Sequence, residues 1–236
     1  FYVPKLFFFF FLLVQDISAL LARGVRFASG NEGIVADSAG KIERSTFILQ
    51  FGLILAAIPF ISIINGILRG RYNYRVRNVK LGFRNLPSAF EGVRFVQISD
   101  LHIGSFAGNP EKIEKAVKLV NLQDPDYILF TGDMVNNKAS EMKEFIPVLK
   151  KLKARKGIYS ILGNHDYGEH FNWSSEQERE ANMKSLFAYQ KESGFRLLNN
   201  EAVVLKEKDN EIALIGVENW GVPPFPQHGD LKKAIR

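Results

Sequence analysis

Val93-Arg94-Phe95-Val96-Gln97-Ile98-Ser99-Asp100-Leu101-His102 is the stretch on which the fold turns. Val93 to Ile98 is rich in residues that favour a strand, and it gives way at once to a polar end carrying a carboxylate and an imidazole. The same change occurs twice more. Tyr127 to Phe130 runs into Thr131-Gly132-Asp133, and Ile158 to Leu162 runs into Gly163-Asn164-His165-Asp166. Short apolar runs of this kind read as buried parallel strands. Helical patterns lie between and after them. Asn109-Pro110 supplies a cap residue and a proline at the first helical position, and Ile113, Ala116, Val117 and Val120 give that helix one apolar face. A second pattern covers Ser140 to Lys153, with Pro147 bending or shortening it. Ser174 with Gln177, and Ser175 with Glu178, both fit a capping box ahead of a long helix that stops at Gly194. Ala202 to Leu205 and Ile212 to Val217 then read as a hairpin around Asp209-Asn210. Strands alternating with helices predict an α/β fold with a parallel sheet under helical cover.

The sequence upstream is of another kind. Phe47 to Leu68 carries no charge and only Gln50, Ser62 and Asn65 as polar side chains. That is about the 20 residues a helix needs to cross a bilayer, and Gly52, Pro59 and Gly66 are tolerated in such helices. The chain therefore divides into five parts. Residues 1–21 are a partial transmembrane or interfacial segment, and 22–46 are a polar, Gly-rich connection. Residues 47–68 form a transmembrane helix. Residues 69–84 form a basic juxtamembrane lead-in, with Tyr74 to Phe83 as a strand, and 85–236 form the soluble domain. A cleaved signal peptide is not favoured, because no basic leader or small-residue cleavage site is visible. The first residue is Phe1 and the last, Arg236, follows closely on a helix start at Asp230, so the chain reads as a piece cut at both ends.

Composition narrows the function classes. Among 236 residues the formal charge is +6 and the pI about 9.4. Arg69, Arg71, Arg75, Arg77 and Lys80 gather just after the apolar stretch, where an anionic membrane surface explains them better than a nucleic-acid groove does. Arg23, Arg26, Lys41 and Arg44 make the other flank basic as well, so the positive-inside rule only weakly places the domain in the cytoplasm. There is no Cys, which excludes a disulfide framework, a thiolate nucleophile and a thiolate metal site.

In an open α/β sheet, ligands bind outside the carboxyl ends of the strands. The three polar clusters end three strands, so the topology gathers them along one sheet edge. Carboxylate and imidazole without thiolate suit Mn²⁺, Fe or Zn²⁺. Asp100 and His102, two residues apart, can face one ion, Asp133 can bridge two ions with its two oxygens, and Asn164 offers a neutral oxygen to the second. Two ions about 3.5–4 Å apart clamp the attacking and leaving oxygens of a phosphoryl group. His165 is placed to donate a proton or a hydrogen bond to phosphate, with Asp166 fixing its tautomer. Asp-x-His and Thr-Gly-Asp are each common as caps or turns. Gly-Asn-His-Asp is more specific, and all three in order at strand ends carry the functional reading.

Asp100-x-His102, Gly132-Asp133-Met134-Val135-Asn136-Asn137 and Gly163-Asn164-His165-Asp166 resemble the motifs of the calcineurin-like metallophosphoesterase superfamily. The apolar helix and basic lead-in resemble its bacterial membrane-anchored branch. The resemblance covers Tyr74 onward. It implies a four-layer α/β/β/α sandwich, two divalent metal ions with Mn²⁺ foremost, and hydrolysis of phosphate mono- or diesters at a cell membrane; the membrane tether, from location alone, adds lipid-linked or surface-accessible phosphoesters as candidate substrates. It also implies metal ligation by Asp100, His102, Asp133 and Asn164, and help to the leaving group from His165 and Asp166. The family pattern continues with a further His and a Gly-His-x-His motif. Here only His170, in a polar loop, and His228, in a Pro-rich stretch, remain, and neither fits that motif. The C-terminal part of the fold is therefore expected to lie beyond Arg236, and this piece alone is expected to be inactive or nearly so. The competing reading is a catalytically inactive, membrane-bound binding or regulatory protein on the same fold. A nuclease acting through the basic surface is a third, and it predicts DNA hydrolysis that falls steeply with salt.

Overall fold

Parallel pairing of the three predicted strands organises the part of the chain that follows the apolar stretch. The computed structural model describes residues 44–236 apart from 69, 224 and 225, together with scattered residues between 5 and 21. The connection expected over 22–46 thus lies almost wholly outside the described residues. The chain forms two compact units, Phe1–Arg75 and Val76–Arg236.

In the first unit, helix α1 runs from Arg44 to Leu68. Its stretch Ile48–Gly66 is long and apolar enough to cross a membrane. Leu53, Ile54, Ile58 and Ile61 are largely exposed, which suits lipid rather than a protein interior.

In the second unit, the strand expected over Tyr74 to Phe83 does not form: residues 73–83 have no regular secondary structure. Val79, Leu81 and Phe83 stay largely exposed, and β propensity alone does not make a strand without a hydrogen-bonded neighbour. Strands β1 (Phe95–Ile98), β2 (Tyr127–Phe130), β3 (Gly157–Ser160) and β4 (Arg196–Leu197) form one parallel sheet in that order. Phe95 pairs with Tyr127 and Tyr127 with Gly157, so the three long strands are in step and end together. Strands β5 (Glu201–Glu207) and β6 (Asn210–Gly216) are the predicted hairpin.

The two faces of the parallel sheet bury different partners. On one face Tyr127 and Phe90 form a core with Leu205 of the hairpin, joined by Val93, Tyr159, Val203, Ile212 and Leu214, so sheet lies on sheet. On the other face Ile98 and Phe130 meet Ile113 and Val117 of helix α2 (Pro110–Asn121) and Leu149 of the one-turn helix α3 (Ile146–Leu149). Helix α4 (Glu176–Glu192) joins that layer, where the buried Ser160 hydroxyl donates to Gln190 Oε1 at 2.7 Å. The second unit is thus helix, sheet and sheet, with a final turn α5 (Leu231–Ala234) touching β5. This mixed α/β arrangement agrees with the sandwich expected from the sequence.

Helix ends follow the sequence signals with three exceptions, one being Asn109, whose side chain makes no capping bond to α2 and donates instead to Ala107 O at 3.0 Å. Gly194 takes φ +93°, its N–H bonds Lys191 O and that of Phe195 bonds Gln190 O, closing α4 as a Schellman motif. At its start Ser175 accepts from Glu178 N, but the Glu178 carboxylate reaches Ser174 N, so the box is shared between the two serines. The Ser140–Lys153 pattern resolves into a 3₁₀ turn at Ala139–Met142 and the short α3, because Pro147 has no N–H to give and fits only a first turn.

Candidate metal centre

The loops that leave β1 and β2 are laced together by backbone hydrogen bonds before any side chain is considered. Asp100 N donates to Gly132 O at 3.1 Å, His102 N to Asp133 O at 2.9 Å, and Ile103 N to Met134 O at 2.9 Å. Holding that register forces Asp100, His102 and Asp133 to φ values of 54°, 42° and 58°. Each such non-glycine residue costs about 1–3 kcal/mol, and clusters of them occur where function over-determines the backbone. Gly132 and Gly163 permit the closest approach. A Cβ on Gly132 would stand 2.3 Å from Gly163 N, and one on Gly163 would stand 2.3 Å from Asp133 Oδ1.

Three donors converge there. His102, Asp133 and His165 each offer a ligand atom, and these atoms lie within 4.8 Å of one another. His102 Nε2 is 3.7 Å from Asp133 Oδ2, while Asp133 Oδ1 accepts the His165 N–H at 2.9 Å. The Asp133 carboxylate therefore reaches from the β1 loop to the β3 loop. The His102 and His165 rings meet edge to face at 4.7 Å. A half-buried set of one carboxylate and two imidazoles fits a divalent cation of the Mn²⁺, Fe or Zn²⁺ type.

The other expected site residues take different places. Asp100 is exposed, outside the converging trio, and accepts a hydrogen bond from the Ser99 hydroxyl. Asn164 points its Nδ2 to His170 Nε2 at 3.3 Å. Asp166 does not hold the His165 ring. It is fully buried, and its carboxylate accepts four backbone N–H groups: Asp133 and Gly163 on Oδ2, at 2.9 and 3.0 Å, and Met134 and Val135 on Oδ1, at 2.8 and 3.2 Å. Burial pushes its pKa up to about 6, against the pull of those donors and with a further push from Asp133. The His165 tautomer is set instead by Asn136, whose carbonyl lies 2.9 Å from Nδ1. With Nδ1 as the donor, Nε2 keeps its lone pair.

Glu141, which the sequence does not single out, and His170, expected there only as a polar-loop residue, shape the same site. The Glu141 carboxylate accepts the N–H groups of Asn136, Asn137 and Lys138 at 2.7, 3.1 and 2.9 Å, fixing the turn that carries the Asn136 carbonyl. His170 packs on His165 with ring centroids 4.8 Å apart. A Glu eight residues past Asp133 gives no local signal, because its role depends on the turn it closes.

The family model described as calcineurin-like phosphoesterase matches residues 93–229, which contain all of these loops. The chain belongs to the calcineurin-like phosphoesterase family. A second model, described as a probable calcineurin-like phosphoesterase transmembrane domain, matches residues 1–71, so this family member is a membrane protein. A transmembrane protein with metallophosphoesterase domain from Danio rerio is 27% identical over 99% of this chain and 49% of its own. One of the same description from Bos taurus is 25% identical over 84% and 44%. The chain spans about half the length of these two relatives. The arrangement is therefore not confined to bacteria. A UDP-2,3-diacylglucosamine pyrophosphatase, LpxG, from Chlamydia trachomatis is 39% identical over 35% of this chain and 26% of its own.

Proposed function

We propose that the complete protein is a membrane-anchored hydrolase of phosphate esters working through two divalent cations, Mn²⁺ foremost, at the carboxyl ends of β1, β2 and β3. Family membership gives phosphoester chemistry in general. The observation that carries the finer reading is the meeting of His102, Asp133 and His165 donor atoms within 4.8 Å, from three separate loops. In this reading Asp100 and His102 would hold one ion, Asn164 would serve the second, and Asp133 would be shared between them. When bound, such a pair clamps the attacking and leaving oxygens and supplies a hydroxide at neutral pH. His165 lies beside the bridging carboxylate with its tautomer fixed by Asn136, so its Nε2 faces the task of hydrogen bonding or ligation in one defined state. Asp166 acts by holding the backbone of Asp133 and Gly163, and carries no proton to the substrate. A membrane anchor, together with the lipid-type substrate named for the Chlamydia relative, supports a lipid-linked or membrane-accessible phosphoester as substrate.

The test is hydrolysis of a chromogenic phosphodiester, with a monoester alongside, by the complete protein in detergent with Mn²⁺, Fe²⁺ or Zn²⁺. Loss of an outer-shell partner costs about 10–100-fold, so loss of the bridging ligand in Asp133→Asn is expected to lower activity by about 100-fold or more. No hydrolysis by the unaltered protein with any metal and either ester would overturn the reading in favour of a binding or regulatory protein.

A further inference from the structure

Three imidazoles stand in a row at the site. His102 meets His165 edge to face at 4.7 Å, and His165 meets His170 at 4.8 Å with the rings tilted by 46°. The third is the one that the strand-end motifs do not include. The chain returns it to the site by a turn at Gly168, whose N–H bonds His165 O at 3.0 Å. The Gly168 carbonyl then accepts from Phe171 N at 3.2 Å and from the Trp173 indole at 2.8 Å.

His170 Nε2 lies 3.3 Å from Asn164 Nδ2. An amide nitrogen has hydrogens to give and no lone pair to offer, so it donates and the imidazole accepts as the neutral, Nδ1-protonated ring. In that tautomer the bond holds the Asn164 amide in one of its two orientations, which are nearly equal in shape and opposite in chemistry. With Nδ2 committed to His170, Oδ1 is left for a cation. With the amide turned over, an NH₂ group that cannot ligate would stand in its place. We infer that His170 is a positioning residue for the second metal: it orients the Asn164 amide so that the oxygen, and not the nitrogen, serves the ion. The inference rests on the two-ion reading above and adds a residue to it.

The experiment titrates Mn²⁺ into the complete, metal-free protein in detergent and follows bound Mn²⁺ by electron paramagnetic resonance, where a coupled pair differs from a single ion. Four variants are compared: His170→Ala, His170→Gln, Asn164→Ala, and Asn164→Ala with His170→Ala. His170 is exposed, so the two single His170 variants are expected to melt as the parent does. Outer-shell partners of metal ligands contribute about 10–100-fold to affinity. His170→Ala is therefore expected to weaken the second ion by that factor while the first stays, giving a single-ion spectrum at Mn²⁺ levels that fill both sites in the parent. His170→Gln, whose Oε1 can accept from Asn164, restores most of the loss. The double variant binds no more weakly than Asn164→Ala, because His170 acts through that side chain alone. A coupled pair of unchanged affinity in His170→Ala would overturn the inference and leave the two-ion reading intact. So would failure of Gln to rescue, or a further loss in the double variant, which would make His170 a direct ligand. A parent that binds fewer than two ions would overturn the two-ion reading itself.

Discussion

Gly163→Ala asks whether the approach of the β3 loop to Asp133 sets the metal centre. The added Cβ would lie 2.3 Å from Asp133 Oδ1, 2.5 Å from Asp133 N and 2.8 Å from Asp133 Cγ. Carbon contacts settle near 3.5 Å, so Asp133 or the Gly163 loop must shift by roughly 1 Å. Neither is free to move cheaply. Gly163 N donates to Asp166, Asp133 N donates to the same oxygen, and Asp133 Oδ1 accepts from His165 N. Overpacking of this kind costs about 1–3 kcal/mol, which lowers Tm by about 2–12 °C at about 2–4 °C per kcal/mol for a domain of this size. The larger effect falls on the metal. A displacement near 1 Å in a preorganised site can cost about 100-fold, and a 100-fold weaker ion forfeits about 2.7 kcal/mol of ligand-induced stabilisation when Mn²⁺ is in excess. Thermal melts of the complete protein with and without Mn²⁺ read both quantities. The Mn²⁺-induced rise in Tm is expected to shrink by about 5–10 °C in the variant. A variant with the parent's melting point and the parent's Mn²⁺ shift would refute the argument that the Gly163 backbone pins the carboxylate.

Asp166→Asn trades two of four N–H···carboxylate bonds for an NH₂ group that faces donors, while removing a buried charge. These effects oppose each other in the fold, so the metal-free melt is expected to change by only a few degrees, whereas Mn²⁺ affinity falls about 10–100-fold because Asp133 loses its anchor. Unchanged affinity would return Asp166 to a proton-carrying role. At the far end of the sheet, burial first, and then Glu207 beside it at 3.3 Å, push the Tyr127 phenol up to about 12. A tyrosine in the unfolded chain titrates near 10. Between those values the unfolded state alone sheds the proton, so stability present below pH 10 is lost as pH rises towards 12, by about 2–3 kcal/mol. Tyr127→Phe lacks this slope, and parallel alkaline melting profiles for the two proteins would refute it.

The sequence by itself determined the parts that depend on short-range order. The apolar runs Tyr127–Phe130 and Ile158–Leu162, each followed by a polar cluster, place strand ends and loops without reference to distant residues. A parallel sheet in register then makes the convergence of Asp133 with His102 and His165 a matter of topology. The charge-free stretch Phe47–Leu68 likewise announces a membrane span, because a bilayer selects on length and composition alone. Which atoms partner which was left to the tertiary structure. Asp166 follows His165 directly, yet its carboxylate turns inward to four backbone donors, and Asn136, from another loop, takes the imidazole. Asp100 carries the right residue type two positions from His102 but stands outside the converging trio. Tyr74 to Phe83 has strand composition and forms none. The reason is common to all three. Residue type and local period fix which groups are available and which way a segment propagates. Hydrogen-bond partners and strand pairing are settled by which backbones approach within about 3 Å, and that is a property of the packed loops and sheets.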